Sequence, residues 1–331
     1  MNLKTITNAW NDFFFKPASP LPIAVFRILY GLMMLVLFAV ELFPDREVWY
    51  GTNGISDPVA AVKFFWHQPV FDLLNVTGTG SAGLLIFFAV AFVSTLFLTV
   101  GFATRYSAWV LFMCLVSLHY HTPWNINGGD CFLRLAAMYL ALSQCGEMLS
   151  VDRWLKRKYA PDEVIDTAWP WAQRLLQLQI AVVYWQCSVA KLSGTQWIDG
   201  SAVWYATRLE DLIHLHIPYL LDSVFLCHLL SWGTLIIELA LWTLIWVKEF
   251  RYYVLLAGLA LHVGIDLFIS LPFFEWIFMA SYVTFVEPQD IERFFDAAKS
   301  CAIKLRTGRS YPPKSVVLPV PGVVDPPEAT P

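Results

Sequence analysis

Eight apolar runs, each close to the length a helix needs to cross a hydrocarbon core, constrain this 331-residue chain more than any other feature. They fall at Leu21–Leu42, Ala82–Val100, Tyr106–Leu118, Cys131–Leu142, Trp171–Leu192, Cys227–Trp246, Tyr252–Ile269 and Pro272–Val286. A bilayer core takes about 20 helical residues, and the third, fourth and eighth runs are shorter than that. Hydrocarbon offers no partner to a backbone N–H or C=O, so segments of this kind close their hydrogen bonds internally as helices. With 57% hydrophobic against 15% charged residues and a mean hydropathy of +0.56, the composition excludes an ordinary soluble domain. The expected fold is an all-α polytopic membrane bundle of about eight transmembrane helices. The first run is longer than a cleavable signal, holds Arg27 and lacks a small-residue cleavage site before Pro44.

Basic residues give the expected orientation. Arg46, Lys63 and Arg208 fall on one side, and Arg27, Arg134, Arg174 and Lys191 lie within or at the ends of runs. Every other lysine and arginine lies on the opposite side, which the positive-inside rule makes cytoplasmic, together with both termini. Lys191 then lies at the outer end of the fifth run. The expected division is a bundle over residues 1–287, a cytoplasmic amphipathic helix over 288–309, and a disordered proline-rich tail over 310–331. In the second segment Ile291, Phe294, Phe295, Ala298, Ala302 and Leu305 recur at helical spacing opposite charged positions, as in a helix lying on a leaflet. Repeated proline in the third forbids packed helix and sheet alike. No phosphate loop and no nucleic-acid patch is present in the sequence. The six cysteines form no C-x-x-C pair, so neither a metal site nor a disulfide framework is expected.

Ionisable groups inside apolar runs carry the functional signal, because hydrocarbon makes each of them costly. Lys191 ends the run Leu175–Ala190 in the string Tyr184-Trp185-Gln186-Cys187-Ser188-Val189-Ala190-Lys191-Leu192. It can snorkel to the interface, pair with a neighbour, or be held near neutrality as a base. His262 and Asp266 stand one helical turn apart on the seventh run, as a structural pair or as a base with its orienter. Asp130 and Arg134 show the same spacing and are expected to pair. His119 and His121 are expected in a solvent-facing loop. Glu238 needs a partner within the sixth run, where a structural lock is expected, and Arg27 is read as structural. Trp49, Tyr50, Trp197, Trp204 and Tyr205 suit an aromatic belt at the outer interface.

A further pattern emerges from the ordered strings Lys16-Pro17-Ala18-Ser19, Val25-Phe26-Arg27-Ile28-Leu29-Tyr30-Gly31-Leu32, Gly101-Phe102-Ala103-Thr104-Arg105-Tyr106, Trp124-Asn125 and Ser150-Val151-Asp152. It continues through Val183-Tyr184, Ala190-Lys191-Leu192, Trp197, Gly200 and Leu261-His262. Together these resemble the membrane part of the vitamin K-dependent gamma-carboxylases and the wider HTTM domain family, over residues 15 to 287.

The resemblance implies an integral membrane protein, expected in a bacterial cytoplasmic membrane. It implies a reduced naphthoquinone as cofactor, with oxygen and carbon dioxide as co-substrates and a peptide or protein carrying the glutamyl acceptor. Lys191 matches the family's base by its Lys-Leu context and following tryptophan, and His262 matches a histidine expected to orient the quinol. Asp266 would assist, while Asn127, Asp130, Arg134 and Trp197 would shape a quinol pocket between the third to fifth and seventh runs. Two departures stand out. Asn127-Gly128-Gly129-Asp130 occupies the place of a family histidine after Trp-Asn, and the long lumenal portion of the animal enzymes has no counterpart after the bundle. Three readings stay open: a quinol-dependent enzyme, a factor for maturation of or immunity to a secreted peptide, and a non-catalytic scaffold.

Overall fold

The computed structural model describes residues 2–66, 70–215, 217, 222–271 and 273–307. Among them every regular element is helical, and the bridges Ala18–Ala168 and Ile213–Ile269 are isolated. The helices used below are α1 (Leu3–Phe15), α2 (Leu21–Leu37), α3 (Ser81–Val100), α4 (Thr104–His121), α5 (Gly128–Leu142), α6 (Trp171–Leu192), α7 (Val224–Thr243), α8 (Lys248–Phe268), α9 (Phe274–Ser281) and α10 (Pro288–Thr307). A π-helical turn, Phe38–Leu42, prolongs α2, and short 3₁₀ turns prolong α7 to Trp246 and α9 to Phe285.

Among the described residues, four segments are long and apolar enough to cross a membrane: Leu21–Leu42, Ser81–Val100, Val224–Trp246 and Lys248–Phe268. The others fall short for identifiable reasons. Helix α5 has 15 residues and α9 has 8. Helix α6 is 22 residues long but carries Gln173, Arg174, Gln177, Gln179, Gln186 and Lys191, and α4 ends in His119-Tyr120-His121.

Neighbours in sequence pack side by side from α2 to α5, α5 lies on α6, α6 on α7 and α7 on α8. Helix α9 closes the arrangement by packing against α2, α5 and α8. The core between them is filled by Phe26, Tyr30, Met34, Phe87, Leu111, Phe132, Leu176, Ile180, Ile277 and Phe278. Leu85, Ile86, Val90 and Val93 on α3, Leu229 and Ile236 on α7, and Tyr253, Leu256 and Val263 on α8 point outward and are exposed. Apolar faces of that extent are a liability in water and match the hydrocarbon of a bilayer.

The helix ends are tied by specific chemistry. Helix α3 stops at Gly101, whose φ of +74° favours glycine. A Cβ there would also lie 2.4 Å from Ser150 Cβ and 2.7 Å from Arg27 Nη1. The Asp152 carboxylate accepts from the Ala103 and Thr104 N–H groups at 2.8 and 2.9 Å, satisfying the start of α4. Asn127 and Asp130 form a reciprocal capping box at the start of α5. Arg27, fully buried, donates to the carbonyls of Cys145 and Leu149 at 2.8 and 2.5 Å.

Residues 2–286 form one compact unit and the chain from Glu287 belongs to a second. In the second unit α10 alternates exposed Phe294 and Leu305 with charged positions, and Arg293 pairs with Asp290 at 3.0 Å. The proline-rich segment 310–331 lies outside the described residues. All six cysteines are free, and no cluster with metal-ligating composition occurs among the described residues.

Candidate functional site

Helices α6, α7, α8 and α9, with residues 203–207, line a cavity of about 520 Å³ whose wall is mostly apolar; its ionisable side chains are Lys191, Glu238, His262 and Glu275, with Tyr184 and Cys187 beside them and Thr207 and Thr234 elsewhere on the wall. Few polar groups in an otherwise apolar cavity is the usual constitution of a small-molecule site.

Lys191 lies in the last turn of α6, where the partial negative charge of the helix end favours a cation. Its Nζ donates to Glu238 Oε1 at 2.6 Å and sits 5.2 Å from the centre of the Trp197 ring. Glu238 is buried within α7, and its second oxygen, Oε2, has no hydrogen-bond partner among the described residues. A buried carboxylate oxygen left unpaired is expensive, so this atom is an acceptor in search of a donor.

His262, buried on α8, is held on three sides. Nδ1 meets the Glu275 carboxylate, Nε2 lies 2.5 Å from Tyr184 Oη, and the imidazole stacks on Phe278 with ring centres 5.7 Å apart and planes 5° from parallel. With Glu275 ionised, Nδ1 carries the proton and Nε2 accepts from Tyr184. Tyr282 Oη, 2.6 Å from Tyr184 Oη, continues the chain of hydrogen bonds. The geometry therefore holds one tautomer and orientation of the ring.

Of the residues expected to act together, Lys191, His262 and Trp197 share this cavity, and Glu238 joins them as the lysine's partner. The expected pairing of His262 with Asp266 is not found. One helical turn sets them on the same side of α8, but α9 brings Glu275 against the imidazole, and Asp266 accepts instead from Trp276 Nε1 at 3.2 Å. Asn127 and Asp130 line a separate, smaller chamber, because their carboxylate and amide are first used to cap α5. Asp130 and Arg134 do not pair: Arg134 lies over the Tyr120 ring, 6.0 Å from its centre, and lines neither chamber. The larger cavity thus sits between the fifth to eighth runs rather than the third to fifth and seventh.

Two further expectations are corrected. His119 and His121 are buried in the last turn of α4, not solvent-facing, because that helix continues three residues past the apolar run. His121 Nδ1 lies 2.8 Å from Asp72 Oδ2, an ion-pair geometry closed off from solvent. Of the proposed aromatic belt, Tyr50 is buried against Phe88 and His121, and Trp197 lines the cavity. Glu275, Tyr184 and Tyr282 were not singled out by sequence. Glu275 had a readable signal, a carboxylate in an apolar run; the tyrosines had none beyond their context.

No solved structure matches this chain. A protein of Bacillus subtilis (strain 168), described as the uncharacterized protein YitO, is 24% identical over 122 residues, 35% of this chain and 39% of that protein. The chain therefore aligns to about two fifths of that relative's length. A family model described as the HTTM domain, which is the domain of vitamin K-dependent gamma-carboxylase, matches residues 15–289. With its apolar helices and a match over most of its length, the chain is a membrane protein that belongs to the HTTM domain family.

Proposed function

We infer that this protein is a membrane enzyme of the gamma-carboxylase type, coupling the oxygenation of a reduced naphthoquinone to proton abstraction and carboxylation of a glutamyl or other acceptor. The reading includes eight crossings of a bacterial cytoplasmic membrane, both termini cytoplasmic, and α10 as a helix on the cytoplasmic leaflet.

The observation that carries it is the ion pair of Lys191 and Glu238 at the polar end of an apolar cavity. Passage of a proton from Nζ to the carboxylate across 2.6 Å yields a neutral amine with no change in net charge, so the pair can present a base where an isolated ammonium could not. The orphaned Oε2 of Glu238 suits a hydroxyl donor, and the apolar wall suits a fused aromatic ring with an isoprenoid tail. A bound naphthoquinol supplies the oxidation that drives removal of an otherwise unreactive proton. In that setting Lys191 takes a hydroxyl proton, Trp197 covers the lysine, and Tyr184 with His262 and Glu275 can pass a proton along one fixed hydrogen-bond chain. Asp266 would act on the site indirectly, through Trp276.

The test incubates purified protein in nanodiscs with oxygen and reduced naphthoquinones and follows the epoxide by mass spectrometry. Wild type is expected to form it and Lys191→Met is not, with both proteins folded. Absence of epoxide from wild type across several quinols would reject the reading in favour of peptide maturation, immunity or scaffolding.

A further inference from the structure

Phe274 lines two chambers, and the second is chemically unlike the first. It encloses about 250 Å³ between the end of α2 with its π-helical turn, the end of α4 and the start of α5. Its floor includes buried His119 and Thr122, and its rim carries exposed Glu41, Asn125 and Asn127, so it opens on a polar surface.

His119 is the feature that asks for a ligand. It is 8% exposed and lines the chamber, yet makes no hydrogen bond among the described residues: its Nδ1 is closed off, and Nε2 is the nitrogen left accessible. Buried imidazoles are ordinarily bonded, so this one holds an unused acceptor or donor at the chamber floor.

Charge decides which kind of ligand. The carboxylates of Glu41 and Asp130 both face the chamber and lie close enough to repel. Oδ2 of Asp130 is committed to the Asn127 N–H at 2.9 Å, and no hydrogen bond engages Oδ1. Glu41 stands in the turn that ends α2 and His119 in the last turn of α4, so two helix C-termini add partial negative charge, while the partial positive charge of the α5 N-terminus is already met by its own Asn127–Asp130 capping box. Arg134 acts on His119 without lining the chamber, and the charged side chains that do line it are the two carboxylates.

A Cβ at Gly129 would lie 2.8 Å from Phe274 Cδ2, so the glycine lets α5 approach that ring.

We propose that this chamber is a binding site for a primary ammonium group, whose three N–H donors are shared among Glu41, Asp130 Oδ1 and the neutral imidazole of His119. An inorganic cation would satisfy the charge but would not require the imidazole, and a quaternary ammonium has no N–H to offer. The assignment does not depend on the quinol reading.

The experiment measures thermal unfolding of the purified full chain in detergent against ethylamine, at constant ionic strength, beside ethanol, tetramethylammonium and potassium. A saturable rise in the unfolding temperature with ethylamine alone is expected, because a ligand that binds only the folded state stabilises it in proportion to its occupancy. Glu41→Gln and His119→Leu are each expected to raise the half-saturating concentration by about tenfold, the effect of losing one charge-assisted hydrogen bond. Glu41→Gln lies at the exposed rim and keeps the fold testable if the His119 variant does not. No saturable shift, an equal shift with potassium or tetramethylammonium, or an undiminished response in Glu41→Gln overturns the proposal and leaves a chamber filled by water or by simple cations.

Discussion

Lys191 shows how far a single residue can be read and where the reading stops. Its position at the end of an apolar run announced that it must snorkel, pair or act as a base, but the identity of its partner depended on how α7 lies against α6. Glu238 is 47 positions away, and no spacing rule connects the two. His262 illustrates the complementary error. A carboxylate one turn along the same helix is the natural guess, yet α9 delivers Glu275 from a different element. The pairing leads to a stability prediction. Lys191→Met leaves Glu238 buried without a counter-charge and should cost about 1–3 kcal/mol. The double variant with Glu238→Leu should recover much of that loss, because an apolar pair of similar volume removes the stranded charge. Unfolding midpoints in a double-mutant cycle measure the coupling; additive losses would show that the two side chains do not interact.

At the scale of elements, hydrophobic periodicity was a good guide where a helix faces lipid and a poorer one where it faces protein. The first run was expected over Leu21–Leu42 and is observed there, and α3 begins within a residue of its expected start. Helix α4 runs past its apolar stretch through His119 and His121, because Asp72 and the packed interior compensate polar side chains that lipid would reject. Helix ends follow the same division. The Asn127–Asp130 capping box is local and readable from four residues, whereas the Asp152 carboxylate caps α4 from 48 or 49 positions away. Asp152→Ala is therefore expected to lose about 0.5–2 kcal/mol, as for other lost N-caps. Gly101→Ala should be more harmful than an ordinary glycine substitution, because it meets both positive φ and the Arg27 guanidinium. Denaturation of each variant in the same detergent gives the comparison; a neutral Gly101→Ala would mean that the α3–α4 corner relaxes.

Across the whole molecule, the reading of eight crossings rests on the apolar runs and the charge bias, while four helices meet the length and hydropathy of a span by themselves. Orientation is open to a direct check. Cys301 on α10 is exposed, whereas Cys114, Cys145 and Cys227 are buried. In intact cells a membrane-impermeant thiol reagent should spare Cys301 and label a cysteine placed at exposed Asp199, with the order reversed in inside-out vesicles. Labelling of Cys301 from outside would invert the topology.

Helix α6 carries a consequence for how such a chain is made. Several of its polar side chains are met by other elements: Gln173 and Gln177 donate to the Thr284 carbonyl at 2.8 and 2.6 Å, and Lys191 donates to Glu238. Partitioning such a segment alone from the insertion machinery into lipid is unfavourable, since polar side chains without partners are costly in hydrocarbon. Under the eight-crossing reading, α6 must be retained at the machinery until α7 emerges and supplies the carboxylate. In a nascent chain ending before Val224, α6 should therefore remain crosslinkable to the insertion machinery, and in one extended well past Trp246 it should be released from it, which makes synthesis of the second half of the bundle an obligatorily paired event.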